Sequence, residues 1–346
     1  MMTFMVEGRF IFEISPNQIL LAEGPWDASP EGSEWEIAIM PFKPLSQNSP
    51  RFLNARRSRI VGREELSQCG NGRKFPKLDF HSSAPELFHT SFQELQALIA
   101  KGRAQKGVPW GFQTANLPQA KDYWADALKR APQIGPELVL YGAEMAHESV
   151  LGATPEWLFK IESGGHKLQT MALAGTRWTN QQRTPEQEKK DALEHALVVE
   201  NIRDNLRPFG KVTIGPMNWV KAGSVEHLKT AIELIADSEL DAIEMLKVLH
   251  PTPAVGVFPR TPEALEWLHG LPGHETRADF AAPWVVRNKI DGRAWALVAL
   301  RQIRLRQNEV FIPAGCGVVA GSNVEVEWRE IQEKILSVKK CWRLAE

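Results

Sequence analysis

Residues 191–205, DALEHALVVENIRDN, set Asp191, Glu194 and His195 on one side of a helix. The opposite side, Leu193, Leu197, Val198 and Ile202, is apolar at i, i+4, i+5, i+9 spacing and is expected to face a core. Acids three residues apart are neighbours on a helix surface. The spacing recurs near the C-terminus, where Glu327 and Glu330 in EWRE sit on a second amphipathic segment carrying Ile331, Ile335 and Val338. If the two helices face each other, four carboxylates converge, and such a cluster repels itself unless a cation neutralises it. An all-oxygen site on two helices suits Mg²⁺, which takes one or two protein carboxylates and keeps several waters. On spacing alone, both pairs also read as solvated helix faces, so the decision falls to the rest of the chain.

With 346 residues and 43% apolar content, the chain can bury a large core, as one big domain or as two interleaved halves. A net charge of -1 gives no reason to expect nucleic acid or an anionic membrane as partner. Cys69, Cys316 and Cys341 show neither paired nor metal-ligand spacing, which points to a reducing compartment. The opening MMTFMVEGRFIFEIS lacks a basic and then apolar signal pattern, and no run of about 18 apolar residues occurs, so a cytoplasmic protein is expected.

Residues 1–85 read as short strands separated by turns at NQ, PW, SPEGS and SQNSPR. The basic run Ala55-Arg56-Arg57-Ser58-Arg59 reads as a solvated loop rather than a phosphate site. HTSFQELQALIAKGRAQK, residues 89–106, predicts a helix opened by its Thr/Ser pair and stopped at Gly102. It leaves Lys106 at a helix-to-strand junction, where burial would lower its proton affinity. Further on, Thr154-Pro155-Glu156 puts a carboxylate at a turn between apolar strands, and Gly175-Thr176 suggests a close backbone approach to something bound. His227 follows the strand KVTIGPMNWVKAG, ahead of a helix through Leu249, and alone reads equally as a core histidine. His250-Pro251-Thr252-Pro253 is a rigid turn. FAAPWVVR, WALVALRQIRLR and EVFIPAGCGVVAGS read as strands in hairpin order. The middle one carries Arg301, whose guanidinium needs an anionic partner if buried.

In series, TPEWLF, ALAGTR, KKDALEHALVV, EHLKT, LHPTPAVG, VALRQI, AGCGVVAGS and EWREIQEK resemble the chorismate-utilising enzymes in family order, from about Lys106 to Lys334. That family comprises isochorismate and salicylate synthases and the large chains of anthranilate and aminodeoxychorismate synthases. The order of hairpin strands and long helices suggests an α+β fold with large, mainly antiparallel sheets flanked by helices, and the resemblance implies two intertwined halves around a central cleft. It implies one domain over 1–346, with a less family-like β-rich part at 1–85 and a catalytic core at 86–346. Glu194 and Glu330 match the family's Mg²⁺-binding glutamates, with Asp191 and Glu327 as outer acids. Arg301 and main-chain amides near Gly315 and Gly317 would hold the enolpyruvyl carboxylate of chorismate. His227 and Thr252 would line the same pocket, and Gly175 and Thr176 its wall.

The resemblance also selects a nucleophile. Ala174 stands where aminodeoxychorismate synthases carry an attacking lysine, and Ala172-Leu173 resembles the isochorismate synthase form. The resemblance then implies that water attacks C2 of chorismate with Lys106 as general base and Glu156 as general acid, giving isochorismate with Mg²⁺ as cofactor. Salicylate synthase, anthranilate synthase component I and a non-catalytic carboxylate-binding relative are the alternatives; no glutaminase subunit is expected. Menaquinone and siderophore synthesis both begin from isochorismate. Two departures bear on the pocket. The family's Tyr-Ala-Gly-Pro turn appears as Phe280-Ala281-Ala282-Pro283, and Trp284 replaces a small residue.

Overall fold

The computed structural model describes residues 8–27, 33–42, 52–68, 73–83, 85–144, 147–178, 182, 184–223, 225–271, 277 and 279–344. Cys69, the SQNSPR turn and all of SPEGS but Ser33 lie outside them.

The class is α+β, as the order of strands and helices in the sequence suggests. Sixteen of the described strands form one continuous sheet, and each neighbouring pair runs antiparallel. This sheet cannot be flat. Strands Glu148–Thr154 and Trp157–Ile161 are joined by two residues yet stand eight places apart in the strand order. In a flat sheet they would be roughly 38 Å apart at about 4.8 Å per strand, whereas the link spans roughly 10 Å at full extension. The sheet therefore coils back until its halves face each other. A second link, between Ala294–Val298 and Gln302–Arg306, also crosses eight places.

The two crossings lie side by side. Thr154 Oγ1 donates to the Val298 carbonyl at 2.7 Å. The Val298 amide donates to Glu156 O at 3.1 Å, and the Ala153 amide to Arg301 O at 3.3 Å. Alternation along the strands fills the space between the halves. In Arg9–Ser15, Phe10, Phe12 and Ile14 point to an aromatic core and Ile11 points to the helix-covered face. Phe10 stacks on Trp284 at 5.7 Å, Tyr141 meets Trp284 edge-on at 4.9 Å, and Phe12 lies 5.9 Å from Trp157.

Several local expectations change. Leu193 is 45% exposed while Asp191, Glu194 and His195 are buried with Leu197, Val198 and Ile202. Position 193 falls about 200° from 191 and 195 on the helical wheel, so burying the acidic side turns this leucine outward. The helix expected within 89–106 is Pro85–Ala100; it begins at Pro85, suited to a first turn, and Thr90 and Ser91 lie inside it, bonding back to the Glu86 and Leu87 carbonyls. The arginine-rich run belongs to the strand Leu53–Val61, although Arg57, Ser58 and Arg59 are solvated. Pro25-Trp26 marks a register shift inside Gln18–Asp27 rather than a turn. His227 belongs to the strand Val225–Ala236, and the helix ahead of His250 is confined to Ala242–Leu249. Arg301 lies in the second crossing, with φ +52°, not inside a strand.

Trp284 belongs to the aromatic core, with Nε1 donating to Asp279 Oδ2 at 2.8 Å, and does not line the pocket that Glu156 and Arg301 line. Trp284→Ala is expected to lower the unfolding free energy by about 3–5 kcal/mol in urea titrations. A loss under about 1 kcal/mol would place this ring outside the packing that holds the sheet halves together.

Candidate active site

The acidic helix Pro185–Leu206 is opened by a capping box between Thr184 and Gln187 with proline at its start. Asp191, Glu194 and His195 are at most 6% exposed. The helix Val324–Cys341, capped by Asn323, carries Glu327 and Glu330, both buried. Lys190 joins the two helices, with Nζ 2.7 Å from Glu327 Oε1 and 3.7 Å from Glu194 Oε2. Lys334 holds Glu330 at 2.7 Å and donates to the Gly315 carbonyl at 2.8 Å. Lys106, fully buried, places Nζ 3.2 Å from Glu194 Oε1.

The charges decide which groups stay ionised. Burial pushes Glu327 upward and Glu330 and Glu194 add to that, against Lys190. Burial would also raise Glu330, but Lys334 and Lys190 outweigh it and hold this carboxyl below its usual range. For Lys190, burial disfavours the charge, yet Glu194, Glu327 and Glu330 together keep it firmly protonated.

Lys106 owes its place to a small second sheet. Lys106–Gly107 is the central strand, pairing with Val257–Phe258 on one side and Val318–Val319 on the other. Gly317, just before the last of these, leaves room for the cluster. A Cβ there would collide with Glu194 Oε1 and lie 2.6 Å from Lys106 Nζ.

The crossings supply two more groups. Glu156, 3% exposed, is pushed up to about 8 by burial despite the pull of Lys106 and Lys334. Arg301, in the second crossing, is lowered by burial to about 10, with Glu330 opposing, and remains charged. Its Nη2 lies 3.1 Å from His227 Nε2. Burial, then Arg301 and Lys334, lower His227 to about 3, so the ring is neutral near pH 7. Nδ1–H donates to Gly175 O at 3.2 Å, which leaves Nε2 to accept from Arg301. The Gly175 carbonyl is aimed by a register shift between Ala174 and Thr176, where φ is +74°.

One pocket lies against these groups. Its walls include Glu156, Gly175, Thr176, Glu194, His227, Arg301, Gly315 and Gly317. Lys106 Nζ lies beside two of these wall residues, Glu194 and Gly317, while Asp191, Glu327 and Glu330 do not line the pocket. Thr252 is not on it. Its carbonyl accepts the Val255 and Gly256 amides, its hydroxyl is buried without a partner among the described residues, and Ala254 and Val255 form the surface there. Sequence reasoning missed Lys190, Lys334 and Arg277. The first two sit four residues from Glu194 and Glu330, a spacing that signals a pair. Arg277, which also lines the pocket, lies in a polar stretch that carried no signal.

Among the described residues no three histidine, cysteine or acidic side chains are grouped to hold a metal. The hard oxygens nevertheless fit Mg²⁺ in the way such an ion is usually bound. Glu194 and Glu330 would offer two carboxylates from facing helices, Glu327 Oε2 is buried with no hydrogen-bond partner among the described residues, and ligand and water oxygens would complete the shell.

Fold and pocket set a cleft lined by Arg277, Arg301 and Lys334 against two acidic helices. The chain belongs to the chorismate binding enzyme family, whose model matches residues 60–341. It is 34% identical over 214 residues to a salicylate biosynthesis isochorismate synthase of Pseudomonas aeruginosa, covering 58% of this chain and 44% of that protein. It is 31% identical over 212 residues to the isochorismate synthase MenF of Pasteurella multocida, covering 57% and 47%. The chain thus spans about half the length of the curated relatives it matches. In fold it is similar to the solved structure of MenF, the menaquinone-specific isochorismate synthase from Escherichia coli. There the TM-score is 0.78 at 20% identity, covering 97% of this chain and 88% of that one. No helix among the described residues is long and apolar enough to cross a membrane.

The position of Glu156 has a pH signature. Folded Glu156 keeps its proton up to about 8, whereas the unfolded chain releases it near 4.5, so this residue's contribution to stability declines as pH rises through that window. Glu156→Gln should gain stability relative to the parent protein across that range and level off above it, in urea titrations at stepped pH. A constant difference between the two proteins would mean that Glu156 is not held protonated.

Proposed function

We propose that this protein converts chorismate to isochorismate with water as nucleophile and Mg²⁺ as cofactor. The observation that carries the reading is Glu156, a carboxylic acid kept protonated near neutral pH in a pocket walled by Glu194, Arg301 and Lys334. A general acid needs that condition. In this reading the Lys106 amine accepts a proton from water as the oxygen bonds to C2. The ring double bonds shift, and the C4 hydroxyl leaves with the Glu156 proton. One proton is taken up and one is given, so the exchange is balanced and reversible.

Arg301 and the main chain at Gly315 and Gly317 hold the enolpyruvyl carboxylate. Neutral His227 fixes the guanidinium through the Nε2 contact, and Thr176 and Gly175 close the wall. Glu194 and Glu330 would hold Mg²⁺, which supplies neutralisation of the ring carboxylate. Ala174 offers no amine to attack the ring, which supports water over a covalent lysine route. Such a reaction needs no glutaminase subunit and suits a cytoplasmic enzyme feeding either menaquinone or siderophore synthesis.

Purified protein incubated with chorismate and Mg²⁺ should form isochorismate, without salicylate, pyruvate or, on adding ammonium, anthranilate. Lys106→Ala should lose about 10²–10⁴-fold in turnover. The parent's turnover should fall as pH rises past about 8, where Glu156 loses its proton. No product of any kind from the folded protein would refute the reading.

A further inference from the structure

Arg277 has no role in the chemistry above, yet it is 1% exposed and lines the same pocket as Arg301. Its Cζ lies 3.4 Å from the Phe42 ring centroid, with Phe280 and Trp110 further off at 5.5 and 5.9 Å. Nε donates to the Phe280 carbonyl at 3.3 Å. Both terminal nitrogens, Nη1 and Nη2, are buried without a hydrogen-bond partner among the described residues. The nearby acid is turned away, because Asp279 pairs with Arg304 and accepts from Trp284. A buried guanidinium packed on an aromatic ring, with no partner for its fork among the described residues, is a poor structural element, since a buried charge is costly without compensation. It is a good receptor for a carboxylate, which matches the fork with two parallel hydrogen bonds.

The backbone holds Arg277 in a fixed relation to Arg301. The Phe280 amide donates to Arg277 O, and Ala282 N donates to Asp279 O, both at 2.9 Å. Ala281 and Ala282 then exchange hydrogen bonds with Ala299 at 2.9 Å, so this turn is clamped onto the crossing that carries Arg301. Two guanidiniums on one rigid piece of backbone therefore serve one pocket. Phe280 has no hydroxyl with which to receive an anion on this side, which leaves the polar contact to Arg277.

We propose that Arg277 is a second anchor, beside Arg301, for the enolpyruvyl carboxylate, and that the pair makes the pocket selective for a ring bearing two carboxylates over the same ring bearing one. The inference rests on the reading of chorismate as substrate. It is tested by calorimetric titration, with Mg²⁺ present, of a benzoate carrying a carboxyvinyl ether at C3 and of 3-hydroxybenzoate, which lacks the second carboxylate. Arg277→Gln should weaken the dicarboxylate about 10–100-fold, the scale of a lost charged hydrogen-bonded contact, and leave the monocarboxylate within about twofold. Its Tm without ligand should not fall, since an uncompensated charge has been removed. Arg277→Lys keeps the charge but loses the fork, should weaken the dicarboxylate about fivefold or more, and carries the test if the glutamine variant does not fold.

Equal dicarboxylate affinity in parent and variants, or a matched loss for both ligands together with a lower Tm, would overturn the inference and make Arg277 a packing residue. Failure of the parent protein to bind the dicarboxylate at all would remove the substrate reading, and this inference with it. A parent that binds, beside variants that bind equally well, removes the inference alone.

Discussion

Carboxylates buried together must be protonated, paired or bound to a cation, and the centre of this protein is arranged around that constraint. Asp191 and Glu194 on one helix and Glu327 and Glu330 on another would repel each other in a dry interior. Lys190 spans the two helices, Lys334 sits on Glu330, and Lys106 reaches Glu194 from below. Of the three, Lys190 is the one that links the two helices. The three lysines hold Glu194, Glu327 and Glu330 in ion pairs that a divalent cation would have to displace.

The sheet supplies the other half of the site. Because it coils back on itself, two short links can pass between its halves, and the hydrogen bonds among Ala153, Thr154, Glu156, Val298 and Arg301 bind the two passages together. Each passage leaves regular strand geometry for a few residues and directs one functional side chain, Glu156 or Arg301, into the pocket. The aromatic layer around Phe10, Tyr141 and Trp284 makes that junction rigid. Precision at the site is thus inherited from the core rather than from loops.

Much of this is legible in the chain because it follows from short-range spacing. The i, i+3 acids, the Thr-Pro-Glu turn and the Gly-Thr pair can be placed on elements from residue type and interval alone. Other features cannot, because they depend on distant partners. Leu193 reads as core until the acidic side of its helix is itself buried, and Arg301 reads as a strand residue until strands 294–298 and 302–306 are seen to join different halves of the sheet. Thr252 sits in a family-like motif, yet its neighbours Ala254 and Val255 form the wall. Arg277 carries no periodicity at all, and only its burial and its unpartnered fork reveal it.

The central claim is that the lysine-held carboxylates form a latent divalent-cation site completed by the ligand. Calorimetric titration of Mg²⁺ into the protein, with and without saturating chorismate and under conditions where turnover has reached equilibrium, tests it most directly. The account predicts Mg²⁺ affinity at least about tenfold higher with the ligand present, the same factor by which Mg²⁺ should tighten the ligand. Mg²⁺ affinity that is identical with and without ligand, or unaltered by Glu194→Gln and Glu330→Gln, would contradict it.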